Sequence, residues 1–408
     1  MEILCERENL NRESELILLD NNATTAVDPY VIDYICCTMK KLAGNPSSIH
    51  EAGKQASKYI NYARQSILKN LGGSDTGFII FTSGATESNN LIILGLSEAF
   101  SNDPDSCFVT TPIEHPSVYK SFEKIKQKKL HKVKYLKVEK KTGRIDIDNL
   151  ITIINNEKVV FVSVNYANHE IGTIQDIGKI AKICHEKGAF LHIDATQAVG
   201  KIPIDIKRLE IDYLSLSAHK FFGPKGIGAL YISYNAPKPE PIMFGGDQEF
   251  FFRPGTHNVF GILGMAMALN LLVPNLPTII KEEQNLKDYL LYKIEKLRQE
   301  NLIPQYSING DITFSLPGTI SISFLNTDAS DLVLFMSSNG ICISKGSACK
   351  TQSKKASNVL KAIKLTPDEA EGTIRIGLSP KNTLQHIDKF ITILERYYNL
   401  KSDSFKNK

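Results

Sequence analysis

The sequence predicts an α/β fold, with a mostly parallel central sheet covered by helices on both faces and a smaller α+β domain after it. Three observations predict it. Short, wholly apolar runs alternate with helical patterns through the first half of the chain. That alternation gives way near Tyr213 to two strands joined by a glycine-rich turn. Beyond Gly261, long helices and isolated short strands take over. Strands buried on both faces read as continuous apolar runs, as parallel sheets require. The later change of pattern is that of a separate α+β unit.

Taken in order, GFIIFT at 77–82 reads as a strand, followed by a helix over 87–99. CFVTT at 107–111 precedes a helix over 117–129, and VVFVSVN at 159–165 and AFLHID at 189–194 bracket a helix over 177–186. Residues 212–217 and 229–233 flank the turn at 223–228. A helix over 264–272, a break at Pro274 and Pro277, and a helix over 281–300 come next. Strands at 318–324 and 374–378 and a last helix over 386–398 complete the pattern, and the tail KSDSFKNK is expected to fray.

Bulk properties narrow the class. The 408 residues suffice for two domains, and 42% hydrophobic with 23% charged residues is an ordinary globular balance. A net charge of +4, 8% aromatic residues and no Trp give no support to nucleic acid or a membrane surface as partner. The cysteines, Cys5, Cys36, Cys37, Cys107, Cys184, Cys342 and Cys349, are odd in number and form no C-x-x-C pair. Zinc ribbons and a disulfide framework are therefore not expected, and a reducing cytoplasm is the simplest compartment. The N-terminal MEILCERENLNRESE resembles neither a secretory signal nor an organellar presequence. No apolar stretch is seen to approach the roughly 18–20 residues that span a bilayer.

Chemistry-bearing residues fall where strands end. Lys220 follows the 212–217 strand, with Ser217 and His219 beside it (SLSAHKFFGPKG). A lysine that forms a Schiff base needs rigid backbone and a partly desolvated amine; a solvated lysine at a strand end has the same spacing. Asp194 closes AFLHID at the sheet's carboxyl edge, where open α/β folds bind ligands. A carboxylate there can keep a cofactor's pyridine nitrogen protonated, and Gln197 could reach the ring's phenolic oxygen. An ordinary helix cap explains Asp194 equally well.

In FTSGATESNN, 81–90, Gly84, Ala85 and Thr86 keep a helix start open to phosphate, although the motif is neither a Walker loop nor G-x-G-x-x-G. His115, in EHPSV, could stack on an aromatic cofactor and exchange protons near neutral pH, or be purely structural. His169-Glu170 lacks the second histidine of H-E-x-x-H, so no metal site is expected. Cys349 lies in the small, hydroxyl-rich, basic stretch ISKGSACKTQSKK, 343–355. Lys345, Lys350, Lys354 and Lys355 would favour its thiolate if close. An incidental exposed thiol is the plainer alternative, but Ala348 is its one apolar neighbour, which favours a functional role.

Assembled, these motifs closely resemble the class-V, fold-type-I pyridoxal-phosphate enzymes, specifically the NifS/IscS-type cysteine desulfurases. The matching segments are LLDNNATTAVDP, GNPSSIHEAG, FTSGATESNN, EHPSV, NYANHEIGTIQDI, HIDATQAVGKIPID, SAHKFFGPKGIGALYI, GGDQEFFFRPGTHN, GSAC and TIRIGLS, collinear from Leu18 to Ser379. The resemblance implies a fold-type-I transferase with a seven-stranded-type central sheet. It implies a large cofactor-binding domain over 29–265, and a small domain from 1–28 and 266–408 carrying the cysteine loop and a substrate-carboxylate arginine.

It also implies roles for single residues. Lys220 would bind pyridoxal 5'-phosphate covalently, with Asp194 on the pyridine nitrogen and Gln197 on the phenolic oxygen. Asn168 would stand beside that oxygen and the substrate carboxylate. Ala85, Thr86, Ser217 and His219 would cradle the phosphate, and Thr256 would reach the phosphate of the neighbouring subunit in a homodimer. His115 would stack on the ring, Arg375 would clamp the substrate carboxylate, and Cys349 would accept sulfur as a persulfide. The implied reaction turns L-cysteine into L-alanine and passes sulfur to an acceptor protein, an iron–sulfur scaffold or a tRNA-thiolation relay. A selenocysteine lyase or another class-V aminotransferase uses the same scaffold.

The chain departs from the family at several points. Pro116 follows the stacking histidine where Asn is frequent, and Asn168-His169-Glu170 stands for N-N-E. Arg253-Pro254-Gly255-Thr256 stands for R-S-G-T, Gly255-Thr256-His257-Asn258 for G-T-E-N, and Lys345 and Lys350 replace small residues. Cys349 and Arg375 are 26 positions apart, matching the branch with a long cysteine loop. The short C-terminal segment is expected to favour the NifS branch.

Overall fold

The apolar runs of the first half become strands of one sheet. In chain order the strands are β1 (Ile17–Leu18), β2 (Gly77–Thr82), β3 (Cys107–Thr110), β4 (Lys132–Tyr135), β5 (Val159–Asn165), β6 (Phe190–Asp194) and β7 (Tyr213–Ser217). They continue with β8 (Gly228–Ser233), β9 (Tyr306–Asn309), β10 (Thr319–Phe324), β11 (Ile341–Cys342), β12 (Ser344–Lys345) and β13 (Thr373–Gly377). The structure, a computed structural model, describes residues 16–346 and 357–406.

Seven strands, in the order β2-β8-β7-β6-β5-β3-β4, form the central sheet. β8 alone is antiparallel to its neighbours β2 and β7; the remaining pairs are parallel. In VVFVSVN every residue but Val160 is buried, as expected for a strand covered on both faces. β4 (KVKY) escapes the sequence reading because it is an edge strand whose lysines face solvent. Lys132 and Lys134 there pair with Glu157, and charge of this kind blunts an open sheet edge.

Helices over Ala85–Ala99, Pro116–Lys128 and Ile177–His185 follow the strands as predicted. The last starts at Asp176, whose carboxylate accepts from the backbone of Lys179, and it buries Ile177, Ile180, Ala181 and Cys184. That is one face at the helical period. Helix Glu51–Asn70 was not legible because its buried face mixes the small Gly53, Ala56 and Ala63 and the charged Arg64 with only three large aliphatic residues, Ile60, Ile67 and Leu68.

Three expectations need correction, among them that no apolar stretch is long enough to span a bilayer. The helix predicted over 264–272 begins at Val259 and packs wholly in the large core, so the change of pattern falls at the 3₁₀ turn Val273–Asn275 and not at Gly261. Through that turn the chain is helical from Val259 to Gln299, and its most apolar window reaches a mean hydropathy of 1.8, long and apolar enough to cross a membrane. With 61% of that window buried, it is a core helix. Residues 401–406 of the tail expected to fray instead continue the last helix, Leu384–Lys406.

A second core gathers β1, β10, β11 and β13 with helices Leu276–Gln299, Ala329–Ser338 and Leu384–Lys406 around Leu290, Ile322, Phe324 and Phe390. Its sheet has the order β12-β13-β10-β9, all antiparallel. Because β1 pairs with β11, the N-terminal segment enters this core before crossing to the large sheet.

Candidate active site

The carboxyl ends of β2, β5, β6 and β7 and the turn after β3 converge on one cavity of about 530 Å³, the size range of ligand pockets. Among its lining residues are Ala85, Thr86, His115, Asp194, Gln197, Ser217, His219, Lys220 and Arg375. Nine of the residues singled out from the sequence thus share one chamber, although 290 positions separate Ala85 from Arg375.

Lys220 ends a 3₁₀ turn, Ala218–Lys220, directly after β7. Its Nζ donates to the carbonyls of Asn22 (2.6 Å) and Ala23 (2.8 Å), which aims the amine across the cavity mouth. Asp194 ends β6, buried. Its Oδ2 accepts from Asn89 Nδ2 at 2.8 Å, and its Oδ1 accepts from the Thr196 backbone at 3.0 Å and from the Thr196 hydroxyl. It therefore caps a turn and also presents a fixed carboxylate to the cavity. Gln197 is held at both ends: Nε2 donates to the Asn22 carbonyl (3.0 Å) and Oε1 accepts from Lys201 Nζ (2.7 Å).

Helix Ala85–Ala99 points its start into the cavity, and its cap residue Gly84 supplies no side-chain hydrogen bond. Uncapped N–H groups at a helix start favour an anion. Ser217 and His219 stand on the same lining, with Lys220, Lys225 and Arg375 contributing positive charge. Burial, with Lys220 next, pushes the His219 imidazole down to about 4.

His115 caps helix Pro116–Lys128, its Nδ1 accepting from the Ser117 backbone at 3.1 Å. An accepting Nδ1 leaves the ring proton on Nε2. Burial, then the neighbouring His169, holds this imidazole down to about 4, so it is neutral across the physiological range. The adjoining Glu114 is fully buried; that burial raises its carboxyl to about 8, and its Oε1 receives bonds from Thr111 and Asn165.

Three sequence expectations meet different fates. Asn168 does not line the cavity. It is fully buried in its own turn, where Nδ2 donates to the Ile113 carbonyl (2.9 Å) and Oδ1 accepts from the Glu170 and Ile171 backbones. Asparagine favours such local backbone bonding, and the next side chain, His169, faces the cavity in its place. Its ring meets that of His115 edge-on at 5.5 Å. Thr256 is exposed and lies off this chain's cavity. Cys349 lies outside the described residues.

The sequence reading missed Asn89, Asn165, His169 and the Asn22–Thr24 turn, all of which line the cavity. Asn89 sits one helical turn past Thr86, inside a motif already singled out, and was within reach. Asn165 closes VVFVSVN just as Asp194 closes AFLHID and carried the same strand-end signal, whereas His169 and the Asn22–Thr24 turn close no apolar run of that kind.

Fit to pyridoxal phosphate can be judged from these features. An uncapped helix start with a hydroxyl and basic groups suits the phosphate, the fixed Asp194 carboxylate suits a pyridinium, and Lys220 suits the aldehyde carbon. The residues fit the group.

Comparison with known proteins gives the same picture. Residues 17–390 match the family Aminotransferase class-V. A cysteine desulfurase IscS from Clostridium botulinum (strain Hall) is 36% identical over 382 residues, covering 93% of this chain and 94% of that protein. A cysteine desulfurase from Nostoc sp. (strain PCC 7120) is 39% identical over 382 residues, 93% and 92% of the two chains. Among solved structures, a NifS-like protein superposes with a TM-score of 0.86 at 35% identity, covering 94% of this chain and all of the other. SspA in complex with cysteine gives a TM-score of 0.76 at 31% identity, covering 90% and 100%.

Proposed function

This chain belongs to the class-V aminotransferase family, and from that premise we propose that it is a pyridoxal-phosphate-dependent cysteine desulfurase. It converts L-cysteine to L-alanine. The observation that carries the reading is the meeting of Lys220, Asp194 and Arg375, an amine, a carboxylate and a guanidinium from distant stretches, around one cavity.

The residues divide the work. Ala85 and Thr86 N–H groups, Ser217 and His219 would hold the phosphate; Asp194 would hold the pyridinium, Gln197 the phenolic oxygen, and Lys220 the covalent linkage. When bound, the ring supplies an electron sink for charge left on the substrate Cα. Arg375 grips the substrate carboxylate, using a planar fork that lysine lacks. Lys220 would also take the Cα proton, and neutral His115 can carry protons across the cavity. The Cys349 thiolate attacks the substrate sulfur: an S–S bond forms, the S–Cβ bond breaks, and its electron pair stays with carbon, which gains a proton and leaves as alanine. In this reading the small domain, 1–28 together with the chain after the Val273–Asn275 turn, brings the cysteine and arginine to the large domain, whose core keeps helix Val259–Leu272.

Purified protein loaded with the cofactor is expected to release alanine and sulfide from L-cysteine in the presence of a thiol. Cys349→Ser is expected to keep the cofactor and bind cysteine while forming no persulfide and losing about a thousandfold or more in sulfide release. Wild-type protein that makes no alanine sinks the reading, and normal turnover by the variant sinks the role of Cys349. L-selenocysteine run alongside distinguishes a lyase for that substrate.

The partner is a second copy, and then a sulfur acceptor that is an iron–sulfur scaffold or a tRNA-thiolation relay. Supporting the dimer, Phe244, Phe250 and Phe251 are exposed in the same stretch, 244–256, as the exposed Thr256, and Glu249, Phe250 and Phe251 are all left-handed. Consecutive strained residues persist where surroundings fix them, and here Arg64 and His257 grip Glu249 at 2.7 and 2.8 Å. Exposed aromatic patches mark interfaces. Light scattering is expected to give twice the 45.4 kDa chain mass; a monomer at working concentration removes Thr256 from the neighbour's site. A cytoplasmic location is supported by the free thiols of all five described cysteines.

A further inference from the structure

Arg375 is 3% exposed, and a guanidinium so deeply buried needs fixed acceptors. It has two. NH1 donates to the His169 carbonyl at 2.9 Å, and NH2 donates to Asp20 Oδ1 at 2.8 Å. Its Nε has no acceptor among the described residues. The other oxygen of Asp20 accepts from the Ser344 hydroxyl at 2.6 Å. The Asp20 backbone is pinned as well: Gly377 N–H donates to the Leu19 carbonyl (2.7 Å), and Asn21 N–H donates to the Gly377 carbonyl (3.1 Å). A side chain at 377 would meet Asn22 Oδ1 at 2.6 Å and Asn21 N at 2.9 Å, so glycine is required for the approach.

We infer that Asp20 is a positioning residue for the substrate's carboxylate. It fixes the plane of the Arg375 guanidinium so that the N–H groups left over face the cavity. The inference rests on the reading of Arg375 as the carboxylate clamp. The opposite arrangement, a placeholder that substrate must displace, conflicts with the geometry. Asp20 is tied to Ser344 and to the edge of β13, and a displaced Asp20 would leave both its own charge and the Ser344 hydroxyl without their partners. The two arrangements predict opposite signs, because losing the charge of a competitor tightens substrate binding and losing a support weakens it.

The test uses the holoenzyme and its Asp20→Asn and Ser344→Ala variants. It measures KM and kcat for L-cysteine, Kd for L-alanine from the visible absorption, and inhibition by cysteamine, which has no carboxylate. Asp20→Asn is expected to raise KM and the alanine Kd together by at least about tenfold, with kcat within about threefold and cysteamine inhibition unchanged. Ser344→Ala is expected to shift both constants the same way by a smaller factor, and it decides the matter if Asp20→Asn does not fold. A fall in either constant, no change in both, or an equal loss of cysteamine binding overturns the inference. Wild-type enzyme that forms no alanine overturns the functional reading instead, a separable result.

Discussion

Lys220→Ala is expected to lower alanine formation from L-cysteine by roughly ten-thousandfold or more, because one amine serves both as covalent anchor and as base. The structure isolates the effect. Nζ is held by two backbone carbonyls of the Asn22–Ala23 turn, so its removal leaves acceptors that water can satisfy at the mouth of an open cavity, and the fold is expected to survive. The phosphate cradle and Asp194 are untouched, so the variant still takes up the cofactor, now reversibly. Borohydride treatment followed by denaturation separates the cases: the wild type retains the cofactor and the variant releases it. A variant that keeps the linkage, or keeps turnover within about tenfold, removes Lys220 from the mechanism.

Asp194→Asn is expected to cost about a thousandfold or more in turnover while leaving the apoprotein folded. The reason lies in the neighbours. Asn89 Nδ2 now donates to Asp194 Oδ2 and to the Ser117 hydroxyl, and Asn89 Oδ1 is buried with no partner among the described residues. An amide at 194 can be accommodated by turning Asn89 over, so that its idle oxygen accepts the new N–H at the cost of the bond from Nδ2 to Ser117. The two Thr196 donors still find the remaining oxygen. What the variant lacks is the negative charge that keeps a pyridine nitrogen protonated. Thermal unfolding of the apoprotein is expected to stay near wild type while kcat falls and the visible absorption of the loaded form changes. Unchanged kcat sinks the assignment, whereas a collapse in apoprotein stability would return Asp194 to the capping role that its bonds to Thr196 also serve.

Much of the site was legible because its residues are written at the ends of recognisable strands. Lys220, Asp194 and the start of helix Ala85–Ala99 each follow a buried apolar run, and a parallel sheet brings such ends to one edge whatever its strand order. Asn168, which only the resemblance put forward, shows where local pattern stops. Two adjacent polar residues in a turn are indistinguishable by pattern, and the choice between them is made by the Ile113 carbonyl and the backbone of Glu170 and Ile171, which capture Asn168. β4 was lost for a related reason, since an edge strand guarded by lysines carries no apolar run.

By itself the sequence determined the alternation of strand and helix, the two strands β7 and β8 either side of a glycine-rich turn, and Lys220 and Asp194 as candidates at strand ends, with Arg375 added by resemblance to a family. All but Arg375 follow from local periodicity and side-chain chemistry, which neighbours along the chain express without help. Tertiary structure alone decided that Asp20 braces Arg375 across 355 positions, that His169 and not Asn168 faces the cavity, and that helix Val259–Leu272 belongs to the large core. Each of those depends on which buried donor finds which acceptor once the layers pack, a quantity that no local run of residues contains.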